Sequence, residues 1–205
     1  MGQAQLASRF DFATYMAWEA EQTERHEWVD GEVFAMTGAR DAHNRIAGNL
    51  YVAFHQALRG SPCRVFMSDM KLRVESADAV FYPDVFVTCD ARDRGPAADL
   101  AKQHPRLIVE VLSDSTAAYD RGRKFELYRQ LPDLQEVLFV EQGRLQIDLF
   151  RRNAQGRWEL YPASEGETLQ LASVGLALSV AEVYAQVLPV VAADAESGAG
   201  PAQSS

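Results

Sequence analysis

The sequence predicts an α/β (α+β) fold, a central mixed β-sheet flanked by helices. Residues 106–112 form a near-continuous apolar run, which is typical of a central strand buried on both faces. Residues 40–59 carry apolar side chains at a spacing of three and four, which predicts a long amphipathic helix. Strand patterns before and after a second predicted helix, at about residues 115–130, complete a layered arrangement of helices and strands.

The remaining elements are predicted from local patterns. A helix is predicted at residues 12–22, and Asp30-Gly31 is a favourable hairpin turn between strands 26–29 and 32–36. The apolar stripe of the long helix consists of Ile46, Ala47, Leu50, Phe54, Ala57 and Leu58. Further strands are predicted at residues 64–67, 70–74, 84–88, 136–140, 145–151, 158–161 and 168–171, with a charged loop at 89–105 and a last helix at about 179–187.

The chain of 205 residues has the length of one domain, and its 47% of hydrophobic residues is enough for a full core. We assign residues 1–11 to a loose N-terminus and residues 12–190 to a single domain. Residues 191–205 are small and polar and contain glycine and proline, so they are predicted to form a disordered tail.

The location of the protein is predicted from what the sequence lacks. It shows neither a basic segment followed by an apolar one, as in a signal peptide, nor an apolar run of roughly 18 residues that could span a bilayer. Its two cysteines, Cys63 and Cys89, cannot supply a disulfide framework, so a reducing compartment is expected. These observations favour the cytoplasm and no membrane partner.

The charge of the chain is acidic, with a net value of −9. Asp194 and Glu196 contribute two of these charges, so −7 remains on residues 1–190. A general nucleic-acid binder is usually basic, and this charge counts against such a protein. Arg121, Arg123, Lys124 and Arg129 could still form a basic face on one helix, or a solvated face balanced by Asp120 and Glu126.

Two acidic residues interrupt apolar strands. Glu110 lies within the run 106–112, where an ionised carboxylate needs a partner, a proton or a metal ion. Asp84 opens strand 84–88, and if the two strands are neighbours both carboxylates can converge, since alternate residues of a strand share a face. Carboxylate ligands in that arrangement suit Mg²⁺ or Mn²⁺. Two structural alternatives stay open, namely that Glu110 pairs with an arginine and that Asp84 is a turn residue after Pro83.

Lys124 is the third candidate. On the predicted helix it shares a stripe with Leu127, Tyr128 and Leu131, and a lysine on an inward apolar face is unusual. Its amine could reach the carboxylate pair and orient a water molecule or stabilise a phosphate. The alternative is a helical i,i+4 ion pair with Asp120.

Two weaker candidates are His43 and Glu32. His43 lies on the apolar face of the long helix, where it could be a group supporting the site, a proton shuttle or a packed histidine. Glu32 follows the Asp30-Gly31 turn and could be a solvated strand residue or a further acidic ligand.

Several segments, taken in order, resemble a known family. They are EWVDGEV at residues 27–33, His43 with Ile46, YPDV at residues 82–85, IVEVLS at residues 108–113, Asp120 with Lys124, and Tyr128. This order resembles the Uma family of restriction endonucleases, once catalogued only as a domain of unknown function, which belongs to the PD-(D/E)XK nuclease superfamily. The resemblance runs from about residue 12 to residue 188.

The resemblance implies a restriction-endonuclease-like fold, with Mg²⁺ or Mn²⁺ held by Asp84, by Glu110 and by the backbone carbonyl of Val111. Around this site it leads us to expect Glu32, His43, Asp120 and Tyr128. The superfamily pattern has a lysine two residues after the glutamate, where this chain has Leu112. The resemblance suggests that Lys124, on the following helix, has taken over that role.

The predicted function is a metal-dependent endonuclease that hydrolyses phosphodiester bonds of nucleic acid, with DNA as the expected substrate. Asp84, Glu110 and Lys124 are the predicted catalytic residues, and a homodimer is a guess motivated by the two cuts that duplex cleavage needs. Two alternatives stay open: a catalytically inactive relative that binds or assists, and a metal-dependent hydrolase of a small phosphoester. Leu112 and the acidic charge favour the first alternative, and the acidic charge also suits the second.

Overall fold

The structure of the protein is a computed structural model, in which residues 10–36 and 38–187 have a defined structure. The helices are α1 (Phe12–Glu19), α2 (Asp41–Ala57), α3 (Ala117–Tyr119), α4 (Phe125–Tyr128) and α5 (Val180–Val183). The strands are β1 (His26–Val29), β2 (Glu32–Ala35), β3 (Arg64–Met67), β4 (Lys71–Val74), β5 (Ala79–Phe81), β6 (Val85–Thr88), β7 (Ala101–Lys102), β8 (Pro105–Leu112), β9 (Glu136–Glu141), β10 (Gln146–Arg152), β11 (Trp158–Ser164), β12 (Thr168–Leu171) and β13 (Leu176–Ser179).

The strands form two large sheets and a hairpin. The six-stranded sheet has the order β11-β10-β9-β8-β6-β3 and is mixed, because β8 and β9 run parallel while the other neighbours run antiparallel. The five-stranded sheet has the order β2-β1-β5-β4-β7, and β12 and β13 form the separate hairpin. The predicted fold class, a central mixed sheet flanked by helices, is confirmed.

The central strands of the six-stranded sheet, β6, β8 and β9, are buried on both faces. On one face α2 contributes Ile46, Leu50 and Phe54, each of which is fully buried. On the other face lie α4 and the five-stranded sheet, through residues such as Tyr128 and Phe81. Strand β8 therefore reads as a continuous apolar run because it is covered from both sides.

The chain crosses from one sheet to the other through a short connection. Strand β5 belongs to the five-stranded sheet and β6 to the six-stranded sheet, and only Tyr82, Pro83 and Asp84 separate them. Proline has a fixed φ and no backbone N–H, so it suits the point where a strand leaves one ladder for another. Asp84 is thereby held at the edge of the second sheet, directly before β6.

The helix after β8 has three parts. A π-helical turn (Asp120–Lys124) lies between α3 and α4, where a regular helix was predicted. A π turn holds one more residue than an α turn, and such turns are frequent at functional sites. Here both Asp120 and Lys124 are buried, so the turn directs both side chains inward.

Some predicted boundaries and elements were wrong. The first helix ends at Glu19, the long helix spans Asp41–Ala57 and the last spans Val180–Val183. Strands β5, β7 and β13 were missed, and the loop 89–105 contains β7 and two 3₁₀ turns. Strands of two to four residues carry too short a pattern to separate them from a turn.

The first described residues, Phe10 and Asp11, pack against the domain. Phe10 and Asp11, which we assigned to the loose N-terminus, make defined contacts: Trp28 Nε1 donates to the Phe10 carbonyl at 3.2 Å, and Asp11 caps α1 by accepting from the Thr14 N–H at 2.7 Å. Residues 1–9 and the predicted tail 191–205 lie outside the described residues.

The two cysteines are joined in a disulfide bond. Cys63 precedes β3 and Cys89 follows β6, and because these strands are antiparallel neighbours the two residues meet. No pairing of these two cysteines was predicted, and the bond between them removes the argument for a reducing compartment that was drawn from the cysteines. Within residues 10–36 and 38–187, no helix combines the length and the hydropathy that crossing a bilayer requires. The cytoplasmic location stays a prediction.

We predict that the packing of α2 on the sheet is a main source of stability. Leu50→Ala removes a fully buried side chain and should lower the free energy of unfolding by about 2–5 kcal/mol, because it deletes apolar burial and leaves a cavity. Val52→Ala on the same helix is the control, since that side chain is 51% exposed and should change stability by less than about 0.5 kcal/mol. Urea denaturation of both variants tests this, and equal losses would contradict the assignment of the buried face.

Candidate active site

The register of the sheet brings Asp84 and Glu110 together. Val85 of β6 pairs with Val109 of β8, and extending this antiparallel register by one residue places Asp84 opposite Glu110. Paired residues of antiparallel strands have their side chains on the same face. The predicted convergence of the two carboxylates thus rests on strands that are indeed neighbours.

Asp84 is held by two hydrogen bonds. Its Oδ2 accepts from the backbone N–H of Val111 at 2.7 Å, and its Oδ1 lies 2.7 Å from Nε2 of His43. His43 is in the first turn of α2, so the long helix contributes to the site at its N-terminal end. The structure therefore places His43 beside Asp84.

The carbonyl of Val111 points to the same edge as its N–H, since both groups of one strand residue face the same neighbour. Continued past Val85, the register would put Pro83 opposite Val111. Proline has no N–H to donate to this carbonyl. The Val111 carbonyl thus lies on the Asp84 side of β8, where a strand donor is missing.

Glu110 is buried and shares one oxygen with two donors. Lys124 Nζ lies 3.0 Å from Glu110 Oε1, and the Tyr128 hydroxyl donates to the same oxygen at 2.5 Å. Both partners come from the helix after β8, and both are buried. The predicted inward lysine is therefore present, and it reaches the predicted carboxylate.

Lys124 has two further acidic neighbours. Its Nζ lies 2.8 Å from Oε1 of Glu27 on β1 and 3.8 Å from Oδ1 of Asp120. The i,i+4 pair with Asp120 is thus the longest of the three ion pairs that Lys124 forms within the described part of the chain. Together with Asp84, four carboxyl groups face one ammonium group in this cluster, which leaves an excess of negative charge.

The pKa values reflect this crowding. Burial raises the pKa of Glu110 to about 8, and the ammonium of Lys124 opposes the rise while Asp84 and Asp120 add to it. Burial alone would lower the pKa of Lys124, but the carboxylates of Glu110, Glu27 and Asp120 hold it well above its usual value. Burial and nearby Glu110 raise the pKa of the Tyr128 hydroxyl as well. Lys124 therefore stays charged, while Glu110, with its raised pKa, takes up a proton more readily than an ordinary glutamate.

His43 is also contacted by Gln142, which directly follows β9. The side-chain amide of Gln142 donates to the carbonyl of Leu112 at 2.7 Å and lies 3.3 Å from Nδ1 of His43. An amide that donates to Nδ1 leaves the ring proton on Nε2, which then donates to Asp84. The pKa of His43 is raised overall, since burial lowers it but the hydrogen bond and charge of Asp84 outweigh burial.

Glu32 and Leu112 occupy different surroundings. Glu32 is exposed on β2, in register with Val29, and no hydrogen bond or ion pair joins it to the other site residues in the described chain. Leu112, at the usual lysine position, is 2% exposed and packs in the apolar cluster beneath the site. The structure thus brings together Asp84, Glu110, Lys124, His43, Asp120 and Tyr128 but leaves Glu32 apart.

Sequence reasoning missed Glu27 and Gln142 as site residues. Glu27 could have been found, because it shares a strand face with Val29 while Trp28 faces the other way, which marks it as an acid on a buried face. Nothing in the sequence marks Gln142. Its place depends on the parallel pairing of β9 with β8, in which Leu112 pairs with Glu141.

The donor set fits a hard divalent cation. Asp84, Glu110 and the Val111 carbonyl offer oxygen atoms at one edge of the sheet, and the excess of carboxylates is an environment that a cation would relieve. In the described residues no group of three or more histidine, cysteine, aspartate and glutamate side chains has the geometry of a metal site. Two carboxylates are nevertheless enough for Mg²⁺, which keeps several water ligands.

Comparison with known proteins decides the family. Residues 12–181 match the Uma2 family, described as "putative restriction endonuclease". The chain belongs to the Uma2 family. Two similar proteins from Synechocystis sp. are the uncharacterized proteins slr1290 and sll1609. The first is 40% identical over 83% of this chain and 88% of the relative, and the second is 33% identical over 72% of this chain and 84% of the relative.

A solved structure supports the fold of this Uma2 chain. It is the crystal structure of a putative nuclease of the DUF820 family from Anabaena variabilis, with a TM-score of 0.68. The likeness covers 82% of this chain and 94% of that protein at 14% sequence identity. At this identity the likeness shows a shared fold.

We predict that the stability of the cation-free Uma2 protein falls as the pH rises from about 5 to 8. The folded chain holds a proton on Glu110 up to about pH 8, whereas the unfolded chain releases it near 4.5, so the unfolded state binds fewer protons in this window. The glutamine of the Glu110→Gln variant cannot titrate. Between about pH 5 and 8 the free energy of unfolding of this variant should therefore fall by at least about 1 kcal/mol less than that of the wild type. Urea denaturation in a chelator at several pH values measures this, and parallel pH curves for both proteins would refute it.

Proposed function

We propose that this Uma2 protein is a metal-dependent endonuclease that hydrolyses phosphodiester bonds of nucleic acid, with DNA as the expected substrate. The observation that carries the proposal is the convergence of Asp84 and Glu110 on one point, with the ammonium of Lys124 3.0 Å from Glu110. The family and the name of the structural neighbour support a nuclease in general.

Asp84, Glu110 and the Val111 carbonyl would hold Mg²⁺ or Mn²⁺. Such an ion, when bound, polarises a phosphoryl oxygen and lowers the pKa of a bound water molecule. The hydrogen bonds from Val111 and His43 fix the orientation of the Asp84 carboxylate. Tyr128 fixes one oxygen of Glu110 and leaves the other directed away from this donor.

We assign to Lys124 the stabilisation of the negative charge that develops on the phosphate during the reaction. Its ammonium is kept charged by Glu27, Glu110 and Asp120. It would stabilise the negative charge on the five-coordinate phosphorus of the transition state, or it would orient the attacking water. It enters from the helix after β8 and not from β8 itself, where Leu112 faces the apolar core. The role of the lysine in the superfamily pattern would thus be retained from a different element.

A hydrolase of a small phosphoester is the second candidate. The observation that favours it is the state of the arginines on the helix after β8 and nearby. Arg121 binds Asp148 and Glu141, and Arg123 binds Glu126. Cations that are already paired offer less to the backbone of a long nucleic acid. A catalytically inactive relative is the third candidate, and Leu112 favours it.

We predict that the wild-type protein cleaves circular single-stranded DNA or supercoiled plasmid in the presence of Mn²⁺ and not in a chelator. Glu110→Ala and Asp84→Asn should reduce the rate by at least about 100-fold, since each removes a proposed metal ligand. Gel electrophoresis of the nicked and linear products is the measurement.

The matched control is Glu126→Gln, which alters an exposed acid on the same helix and should cleave like the wild type. Equal rates for Glu110→Ala and the wild type would place the activity elsewhere. A release of phosphate from mononucleotides without any DNA cleavage would favour the second candidate. A homodimer would allow both strands of a duplex to be cut in one encounter, and light scattering at micromolar concentration would detect it.

We further predict that Lys124→Met separates metal binding from turnover. The variant keeps the proposed ligands and loses the ammonium that competes for Glu110, so it should bind Mn²⁺ at least as tightly as the wild type and should lose about 100-fold or more in turnover. Because loss of this buried cation also destabilises the fold, both quantities are measured on protein that circular dichroism shows to be folded. Calorimetric titration and the cleavage assay give the two quantities. Arg123→Met, which removes an exposed cation next to Lys124, is the control and should leave both unchanged. Retained turnover in Lys124→Met would end the idea of a relocated catalytic lysine.

A further inference from the structure

Few aromatic side chains are exposed in the described part of the chain, and they differ in their position relative to the candidate active site. Phe34 is 49% exposed, Tyr161 41% and Tyr119 39%. Tyr161 lies on β11, the outer strand of the six-stranded sheet. Phe34 and Tyr119, in contrast, both adjoin the candidate active site.

Phe34 is placed by the β1–β2 hairpin. It pairs with Glu27 in the antiparallel register, so the two side chains lie on the same face of the five-stranded sheet. Glu27 contacts Lys124 at 2.8 Å on that face. Strand β2 is the outer strand of its sheet, so the Phe34 ring stands at the rim next to the carboxylate cluster.

Tyr119 is placed by the helix on the other side. It directly precedes Asp120, the first residue of the π-helical turn. Its half-buried hydroxyl has a raised pKa, first because of burial and then because of the nearby carboxylate of Glu27. Tyr119 and Phe34 therefore flank the same residue, Glu27, from two different elements.

Neither ring has a partner within residues 10–36 and 38–187. No other ring or cation stacks on Phe34 or Tyr119, whereas the guanidinium of Arg151 lies over the Tyr161 ring at 4.9 Å. Exposure of a large aromatic ring to water is unfavourable. A planar ligand that covers the ring would therefore gain binding free energy. The two rings thus form a pair of open faces beside the proposed catalytic lysine.

The charges around the site limit what the ligand can be. Arg45, near the start of α2, is paired with Asp41, and Arg144 with Glu141. Arg121 and Arg123 are paired as well, and the chain as a whole carries a net charge of −9. A duplex is bound mainly through contacts to its phosphates, and its bases are stacked inside. A single strand offers bases that can stack on protein rings.

We propose that Phe34 and Tyr119 bind unstacked nucleobases, so that the substrate at this site is a single-stranded segment of nucleic acid. The proposal rests on the proposed nuclease function for its choice of ligand. It names two binding residues outside the carboxylate cluster and predicts that stacking, rather than phosphate contact, supplies most of the affinity. The dependence of affinity on salt should accordingly be shallow, equivalent to about two phosphate contacts or fewer.

The test is binding without catalysis. A fluorescein-labelled oligothymidine of about ten nucleotides is titrated with the full chain in a chelator, and fluorescence anisotropy gives Kd. Phe34→Ala and Tyr119→Ala should each raise Kd by about five- to 100-fold, the range expected for loss of one base–aromatic stack. Tyr119→Phe and Phe34→Tyr keep a ring and should bind within about twofold of the wild type. An oligouridine of equal length compares RNA with DNA, and a duplex of equal length should bind at least about tenfold more weakly.

Tyr161→Ala is the matched control, because it removes an equally exposed ring far from the cluster and should leave Kd unchanged. Wild-type-like binding by both alanine variants, tighter binding of the duplex, or no binding of either strand by the wild type would overturn the proposal. Ring-dependent binding without any cleavage would support base stacking on Phe34 and Tyr119 and would count against the proposed nuclease function. Cleavage with ring-independent binding would support the nuclease function and count against base stacking.

Discussion

The buried ammonium of Lys124 is the interaction on which the site depends. It lies within ion-pair distance of Glu27 on β1, Glu110 on β8 and Asp120 in the π-helical turn, so one charge links both large sheets and the helix between them. Removing the cation would leave several carboxylates buried together, at a cost far larger than that of a surface ion pair. The acidic side chains of the two sheets and the helix therefore lie close together because the ammonium of Lys124 offsets their mutual repulsion.

The short crossing between the sheets gives Asp84 its position. Because Tyr82, Pro83 and Asp84 join β5 to β6, the chain has no freedom to place Asp84 elsewhere once both strands are paired. The Tyr82 hydroxyl donates to the buried Glu19 of α1 at 2.7 Å and fixes the other end of the connection. The position of Asp84 in the candidate site is thus fixed by the two ladders that the connection joins, which are more rigid than loops.

The sequence predicted the parts of this arrangement that depend on local periodicity. An alternating pattern shows which residues of a strand share a face, and this was enough to pair Asp84 with Glu110 once the strands were taken as neighbours. The helical spacing of Lys124, Leu127 and Tyr128 likewise predicted an inward lysine. Glu27, Gln142 and the Cys63–Cys89 bond depend on which distant strands become neighbours, and no local pattern encodes that. The π turn was not predicted either, and Asp120 and Lys124 at its two ends have ordinary helical dihedral angles.

That turn gives the helix a place where its length can change by one residue. An added methyl group at Gly122, in its middle, would meet no atom within 4 Å. Removing one residue there would convert the π turn into an α turn, because a π turn holds one residue more than an α turn. Asp120 and Lys124 would then stand three residues apart, a spacing that still keeps both side chains on one face of the helix. A relative of this protein that lacks one residue in the turn can therefore keep an inward lysine at the same place.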